Sequence, residues 1–318
     1  MKGHMKIRKK LNRILRRIRR NRKAFALRAG AVLLVLWVLL ILMRCGRKMD
    51  REYTGQDTTE ESYGVFLGVD ATTFSMDLFE GYDMVVVDAQ ELRSDQLAQL
   101  HATGHTVYSY LNVGSIEESR SYFDDYSYCC LDRYENWPEE FWGDVTRPEW
   151  QELVTEELTD RILDRDPQID GLFLDNLDIY AHVRDSKRIR IDPEQVFEAL
   201  CSILESYQGQ DLPVLINGAD VFVTELLDQG REDLILGVNQ ETVFSSILDY
   251  DRDRVGKQSR EEREYFTDYL DRCRRAGLDV FLLEYTTDPD GEVVILDYCA
   301  EEGFRCYISG HVGLIPDE

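Results

Sequence analysis

Two patterns predict an α/β protein, a (β/α)8 TIM barrel preceded by a single N-terminal transmembrane helix. From Tyr63 onward, eight short apolar runs suited to buried parallel strands recur over 256 residues, with helical segments between many of them. That alternation and that length match the barrel. Ahead of them, the 20 residues from Ala24 to Met43 are apolar except for Arg28, long enough to cross the hydrocarbon core of a bilayer. A doubly wound open sheet is the alternative for the body, but it gives no special reason for eight units.

The N-terminal parts come first in the chain. Residues 1–23, MKGHMKIRKKLNRILRRIRRNRK, form a basic tail. Thirteen bases precede the uninterrupted apolar run, and only Arg44, Arg47 and Lys48 closely follow it. The positive-inside rule then puts the tail in the cytoplasm and the body outside, with residues 24–43 as an uncleaved signal anchor in the plasma membrane. Secretion after signal cleavage is the competing expectation, but no small-x-small site follows the run. Beside a membrane span, the tail reads as an orientation signal and a contact for anionic lipid, and no nucleic-acid partner is expected. Residues 44–62 are polar and aperiodic, a linker.

The net charge of −24 divides unevenly. Residues 1–49 hold 16 Lys and Arg and no acid, which leaves 21 bases and 61 acids, a net −40, for the rest. The seven cysteines show no CxxC spacing and the five histidines no ligand spacing, so neither a metal nor a cofactor is expected.

The body, 63–318, opens with the runs YGVFLGVD (63–70), YDMVVVDAQ (82–90) and TVYSYLNVG (106–114). It continues with DGLFLDNLD (170–178), LPVLINGAD (212–220), LILGVNQE (234–241), DVFLLEYTT (279–287) and FRCYISG (304–310). Between them lie helical patterns with stop and start signals: SDQLAQLHATG, with a Ser cap and a closing Gly; RPEWQELVTEELTDRILDRD, with Pro148 in its first turn; DPEQVFEALCSILESYQG; and SREEREYFTDYLDRCRRAG. The stretch Tyr122–Val145 after the third run is long for a βα loop and rich in aromatics, a candidate wall of a binding cleft.

Most runs gain a carboxylate or amide near their C-terminal end: Asp70, Asp88, Asn112, Asp175 with Asp178, Asn217 with Asp220, Gln240 with Glu241, and Glu284. In a barrel these ends meet at the catalytic face. Asp and Asn after a strand commonly form turns or caps, and Asp88 and Asp220 fit that role. Glu241 and Glu284 fit it less well, because Glu is a poor turn residue. Two carboxylates across such a mouth suit glycoside hydrolysis, in which one protonates the leaving oxygen and the other attacks the sugar or activates water. HExxH and GxSxG are absent.

Five blocks in order carry a resemblance: YLNVGSIEESRSYF (110–123), RPEWQELV (147–154), IDGLFLDNLDIY (169–180), LINGAD (215–220) and GVNQETVF (237–244). Together they resemble glycoside hydrolase family 114, extracellular (β/α)8 proteins that include endo-α-1,4-polygalactosaminidases. The resemblance implies a two-carboxylate hydrolase acting on an α-linked, polygalactosamine-like polysaccharide. It implies Asp175 as nucleophile or base and Glu241 as general acid or acid/base. Asp70, Tyr110, Glu117, Asp178, Asn217 and Glu284 are then expected to bind sugar or orient the acids. A body of −40 would attract a polymer made cationic by free amines, although acidity also serves solubility. A noncatalytic glycan-binding surface barrel is the alternative reading, motivated by the anchor, and a role for the basic tail itself is a third.

Overall fold

The computed structural model describes residues 62–134, 137–250 and 252–315. The expected basic tail (1–23) and transmembrane span (24–43), and the 44–62 linker up to residue 61, lie outside the described residues. Among the described residues, no helix is long and apolar enough to cross a membrane.

Within the unit Glu60–Glu318, the eight apolar runs form one parallel sheet in chain order. Its strands are β1 (Tyr63–Val65), β2 (Met84–Val87), β3 (Thr106–Asn112), β4 (Gly171–Asp175), β5 (Val214–Asn217), β6 (Gly237–Glu241), β7 (Asp279–Tyr285) and β8 (Arg305–Ser309). Each pairs with the next, and β8 comes back beside β1, so the sheet curls into a nearly closed barrel. Paired residues in parallel strands share a face, and the register Tyr110↔Phe173, Asn112↔Asp175 and Asn217↔Asn239 turns these side chains inward together. The interior is filled rather than hollow. The Tyr63 and Phe281 rings meet at 4.7 Å, and the Arg305 guanidinium lies 5.0 Å over Phe281.

Outside the sheet, helix caps follow the local sequence in two cases. Asp192 accepts from Glu194 N (3.2 Å) ahead of Pro193–Gly209, and Ser259 Oγ accepts from Glu262 N (3.1 Å) ahead of Arg260–Arg275. The expected Ser cap of the first helix is not formed. Ser94 is the first helical residue of Ser94–Ala102, and the Arg93 N–H instead donates to Gln96 Oε1 (2.9 Å). The segment opened by Pro148 runs through a π-helical turn, Leu153–Glu157, between Pro148–Glu152 and Leu158–Arg165. Helices Ile179–Asp185, Asp220–Asp228 and Pro289–Glu302 follow β4, β5 and β7.

Two excursions rise from the C-terminal ends of strands. After β3, Ser115–Glu117, Cys130–Arg133 and Glu140–Gly143 make a three-stranded antiparallel sheet. After β6, Ser245–Asp249 and Arg254–Lys257 form a hairpin. Trp150, fully buried, holds the first excursion down through Nε1–H donated to Val113 O at 2.9 Å.

Candidate active site

Between these excursions, at the C-terminal ends of the strands, lies a cleft of about 550 Å³ whose walls include Asp175, Asn217 and Glu241. The three come from the tips of β4, β5 and β6, and each is followed by a left-handed residue: Asn176 (φ 65), Gly218 (φ 63) with Ala219 (φ 56), and Thr242 (φ 57). Asn and Gly adopt this conformation readily, whereas a β-branched Thr there is strained. Each chain thus leaves the sheet immediately after its functional side chain. At the β4 tip, the Asn176 carbonyl lies where a Cβ on Gly114 would stand only 1.7 Å away, so Gly114 is required for the β3 and β4 exits to approach.

One amide nitrogen joins the two candidate acids. Asn217 Nδ2 donates to Asp175 Oδ1 at 2.9 Å and to Glu241 Oε1 at 2.7 Å. The two oxygens therefore lie no more than about 5.6 Å apart, a ceiling below the roughly 6.5–9.5 Å carboxyl separation of inverting glycosidases. Tyr110 from β3 donates to Asp175 Oδ2 (3.2 Å), and Tyr285 from β7 donates to Glu241 Oε2 (2.8 Å). Burial raises the Asp175 carboxyl to about 6, helped by the charge of Glu241 and opposed by its donors.

Other carboxyls crowd the same cleft. Asp178 accepts from Ala219 N (3.2 Å) and is raised to about 7 by burial and then by Asp175 and Asp220. Glu140, on the small sheet, accepts from Ser115 Oγ (3.3 Å) and is raised to about 8 by burial and then by Glu117 and Asp175. Glu117 accepts from Asn112 Nδ2 (3.1 Å) and pairs with Arg120, which also meets Asp88 at 2.8 Å. Arg120 is thus the cation that ties the β2 exit, through Asp88, to the first excursion, through Glu117.

The six supporting residues expected from the resemblance do not all behave alike. Tyr110, Glu117, Asp178 and Asn217 line the cleft with the two acids. Asp70 instead ties its own turn, accepting from Thr72 N (2.7 Å) and Thr73 N (2.9 Å), and is not part of the cleft wall. Glu284, the sixth, is fully buried beneath the wall. It accepts from the backbone N–H groups of Val243 (2.8 Å), Phe244 (3.0 Å) and Ser245 (2.8 Å), and so grips the chain leaving β6. Its neighbour Tyr285 reaches the cleft, because successive strand residues face opposite sides. Counting that alternation from Phe281 would have selected Tyr285.

The aromatic excursion does form a wall, through Tyr134, Trp137 and Glu140. Tyr134 rests on Trp142 at 4.4 Å. Trp137 meets Tyr250 of the opposite hairpin edge-on at 5.5 Å, so the two excursions touch across the mouth. Glu140, Arg120 and Tyr250 enter the site from the excursions rather than from strand tips: Glu140 lies in the stretch expected as a wall and Arg120 in a resemblance block, but neither was singled out, and Tyr250 carried no local signal. His311 pairs with Asp253 (2.5 Å), and the residues after it, Val312 to Leu314, complete the wall.

Comparison with known proteins agrees with this fold. The model of glycoside-hydrolase family GH114 matches residues 52–310. Among solved structures, the glycoside hydrolase domain of PelA from Pseudomonas aeruginosa is similar, with 18% identity and a TM-score of 0.65 over 80% of this chain and 95% of that one. Aspergillus fumigatus Ega3, in complex with galactosamine, is similar with 14% identity and a TM-score of 0.63 over 82% and 94% of the two chains. These likenesses establish the fold. No curated protein sequence matches the chain significantly.

Proposed function

Because this chain belongs to glycoside-hydrolase family GH114, we propose that it hydrolyses an α-linked amino-sugar polymer with Asp175 and Glu241 as the reacting carboxyl groups. The observation that carries this reading is the single Asn217 amide bonded to both acids. It supports a double displacement, for which the carboxyls must be close enough to reach one sugar without room for an intervening water.

In the first step an Asp175 oxygen attacks the anomeric carbon while the bond to the departing sugar oxygen breaks, and that oxygen takes a proton from Glu241. In the second, water attacks the same carbon, Glu241 takes the water proton, and the bond to Asp175 breaks. Asp175 takes the first role by resemblance to the family, with Tyr110 and Asn217 holding its two oxygens as Tyr285 and Asn217 hold those of Glu241. Glu241, one carbon longer, suits a proton shuttle to the leaving group. An amino-sugar substrate is supported by the excess of carboxyls in the cleft and by the galactosamine held in the Ega3 structure. The apolar residues 24–43 support attachment to the plasma membrane with the barrel outside the cell.

Residues 50–318 should release oligosaccharides from partly deacetylated galactosaminogalactan. Asp175→Asn and Glu241→Gln should each lower kcat by about a thousandfold or more. Full activity in either variant would refute the assignment. Azide distinguishes the roles: with Asp175→Ala it should yield a β-glycosyl azide, and with Glu241→Ala an α-glycosyl azide.

A further inference from the structure

Beneath the acid pair, three buried side chains form a hydrogen-bonded column in the barrel interior. The Tyr63 hydroxyl of β1 donates to Asn239 Oδ1 (3.2 Å), and Asn239 Nδ2 of β6 donates to Asn217 Oδ1 (2.7 Å). Asn217 then spends its two N–H groups on the two acids, one each. Tyr63 and Asn239 are 1% and 0% exposed.

We propose that Tyr63 and Asn239 are positioning residues that set the direction of the Asn217 amide and, through it, the charge that Asp175 carries beside Glu241.

An amide has one acceptor end and one donor end, so its direction carries information. Turned over, Asn217 would press its oxygen against two carboxylates and its NH2 group against that of Asn239. Asn239 presents its nitrogen upward because its own oxygen finds a donor below, the Tyr63 hydroxyl. A phenol can donate or accept, so the column has two self-consistent directions. With N–H groups pointing to the mouth it fits ionised acids. Reversed throughout, it fits two protonated acids donating into Asn217 Oδ1. The observed direction holds Asp175 toward its charged form, against the burial that favours the proton.

The other groups facing the pair belong to different elements. Asp175 is faced by Asp178 after β4, Glu140 of the small sheet, Tyr110 of β3 and Tyr134. Glu241 is faced by Tyr285 of β7 and Tyr250 of the hairpin, as well as by Tyr63. Arg120 acts on Glu140 from the wall. Tyr63→Phe leaves every one of these groups except Tyr63 itself in place, so a change in the Asp175 titration on loss of that hydroxyl reports the column.

The experiment is a carboxyl carbon NMR titration of the barrel and of Tyr63→Phe and Asn239→Leu, with the signals assigned through Asp175→Asn and Glu241→Gln. Both column variants should titrate Asp175 at a pH higher by about half a unit or more. On a polymer that the parent cleaves, kcat should fall about tenfold with KM within about twofold, and the acidic limb of the pH profile should move the same way. An unmoved titration in Tyr63→Phe overturns the proposal. That variant loses one oxygen only, so it carries the test if Asn239→Leu does not fold. The activity arm rests on the proposed hydrolase reading. A parent that cleaves no glycan would count against that reading while leaving the titration to decide the role of the column.

Discussion

Asp175, Asp178 and Glu140 share an unusual condition: burial lifts their carboxyls to about 6, 7 and 8. The folded protein therefore binds these protons more tightly than the unfolded chain, whose carboxyls titrate near about 4. The stability this contributes is fully present below that value and is lost as pH rises through 6 to 8. The thermal midpoint should accordingly fall between about pH 5 and about pH 8.5. Asp178→Asn, locked in a neutral form, should remove part of that fall, and identical pH slopes in parent and variant would contradict this account. At this scale the sequence was a partial guide. Asp175, Glu241, Asn217 and Tyr110 were legible because they end or face inward on strands. Glu140 and Arg120 were not, because nothing in a linear sequence says which way a loop excursion folds back.

At the scale of elements, the eight strands were legible from apolar runs, but their lengths were not. The run 63–70 reduces to Tyr63–Val65, although the Phe66 N–H still donates to Val86 O (2.8 Å) and both Phe66 and Val69 stay buried. Left-handed tips after β4, β5 and β6 were readable at Asn176 and Gly218 only, because Ala and Thr enter that conformation under the pull of surrounding contacts. One such contact is Glu284, whose carboxylate collects three backbone N–H groups and the Ser245 hydroxyl (2.5 Å). Burial raises its titration while these donors oppose the rise. Glu284→Gln would turn an NH2 group toward donors that need an acceptor. A loss of about 2–3 kcal/mol in urea unfolding is expected, together with lower activity through displacement of the β6 exit. Unfolding at parental urea with parental kcat would show that the cradle is unimportant.

Across the whole molecule, charge is the property that local inspection underrates. Outside the first 49 residues, 61 acids face 21 bases. Fields of that size draw in cationic chains at low salt and fade as the Debye length drops from about 10 Å at 0.1 M to about 3 Å at 1 M. KM for a deacetylated polymer should rise several-fold over that range, with kcat changing little, while KM for a fully N-acetylated polymer should stay flat. Equal salt responses would detach the surface charge from substrate capture. The barrel itself was foreseen because eight recurring apolar runs leave few other ways to bury them. The order of the resemblance blocks follows from the same architecture, since each block ends or follows a strand.

The contact of Trp137 with Tyr250 gives the mouth a topology as well as a shape. A polysaccharide passing beneath those rings would be threaded, free to slide along its own axis and released sideways only as the rings part. If the proposed hydrolysis takes place there, a cut would leave one piece still beneath the rings, ready for another cut nearby. The sizes of successive fragments would then record how far the polymer slides between cuts rather than where it first collided with the protein.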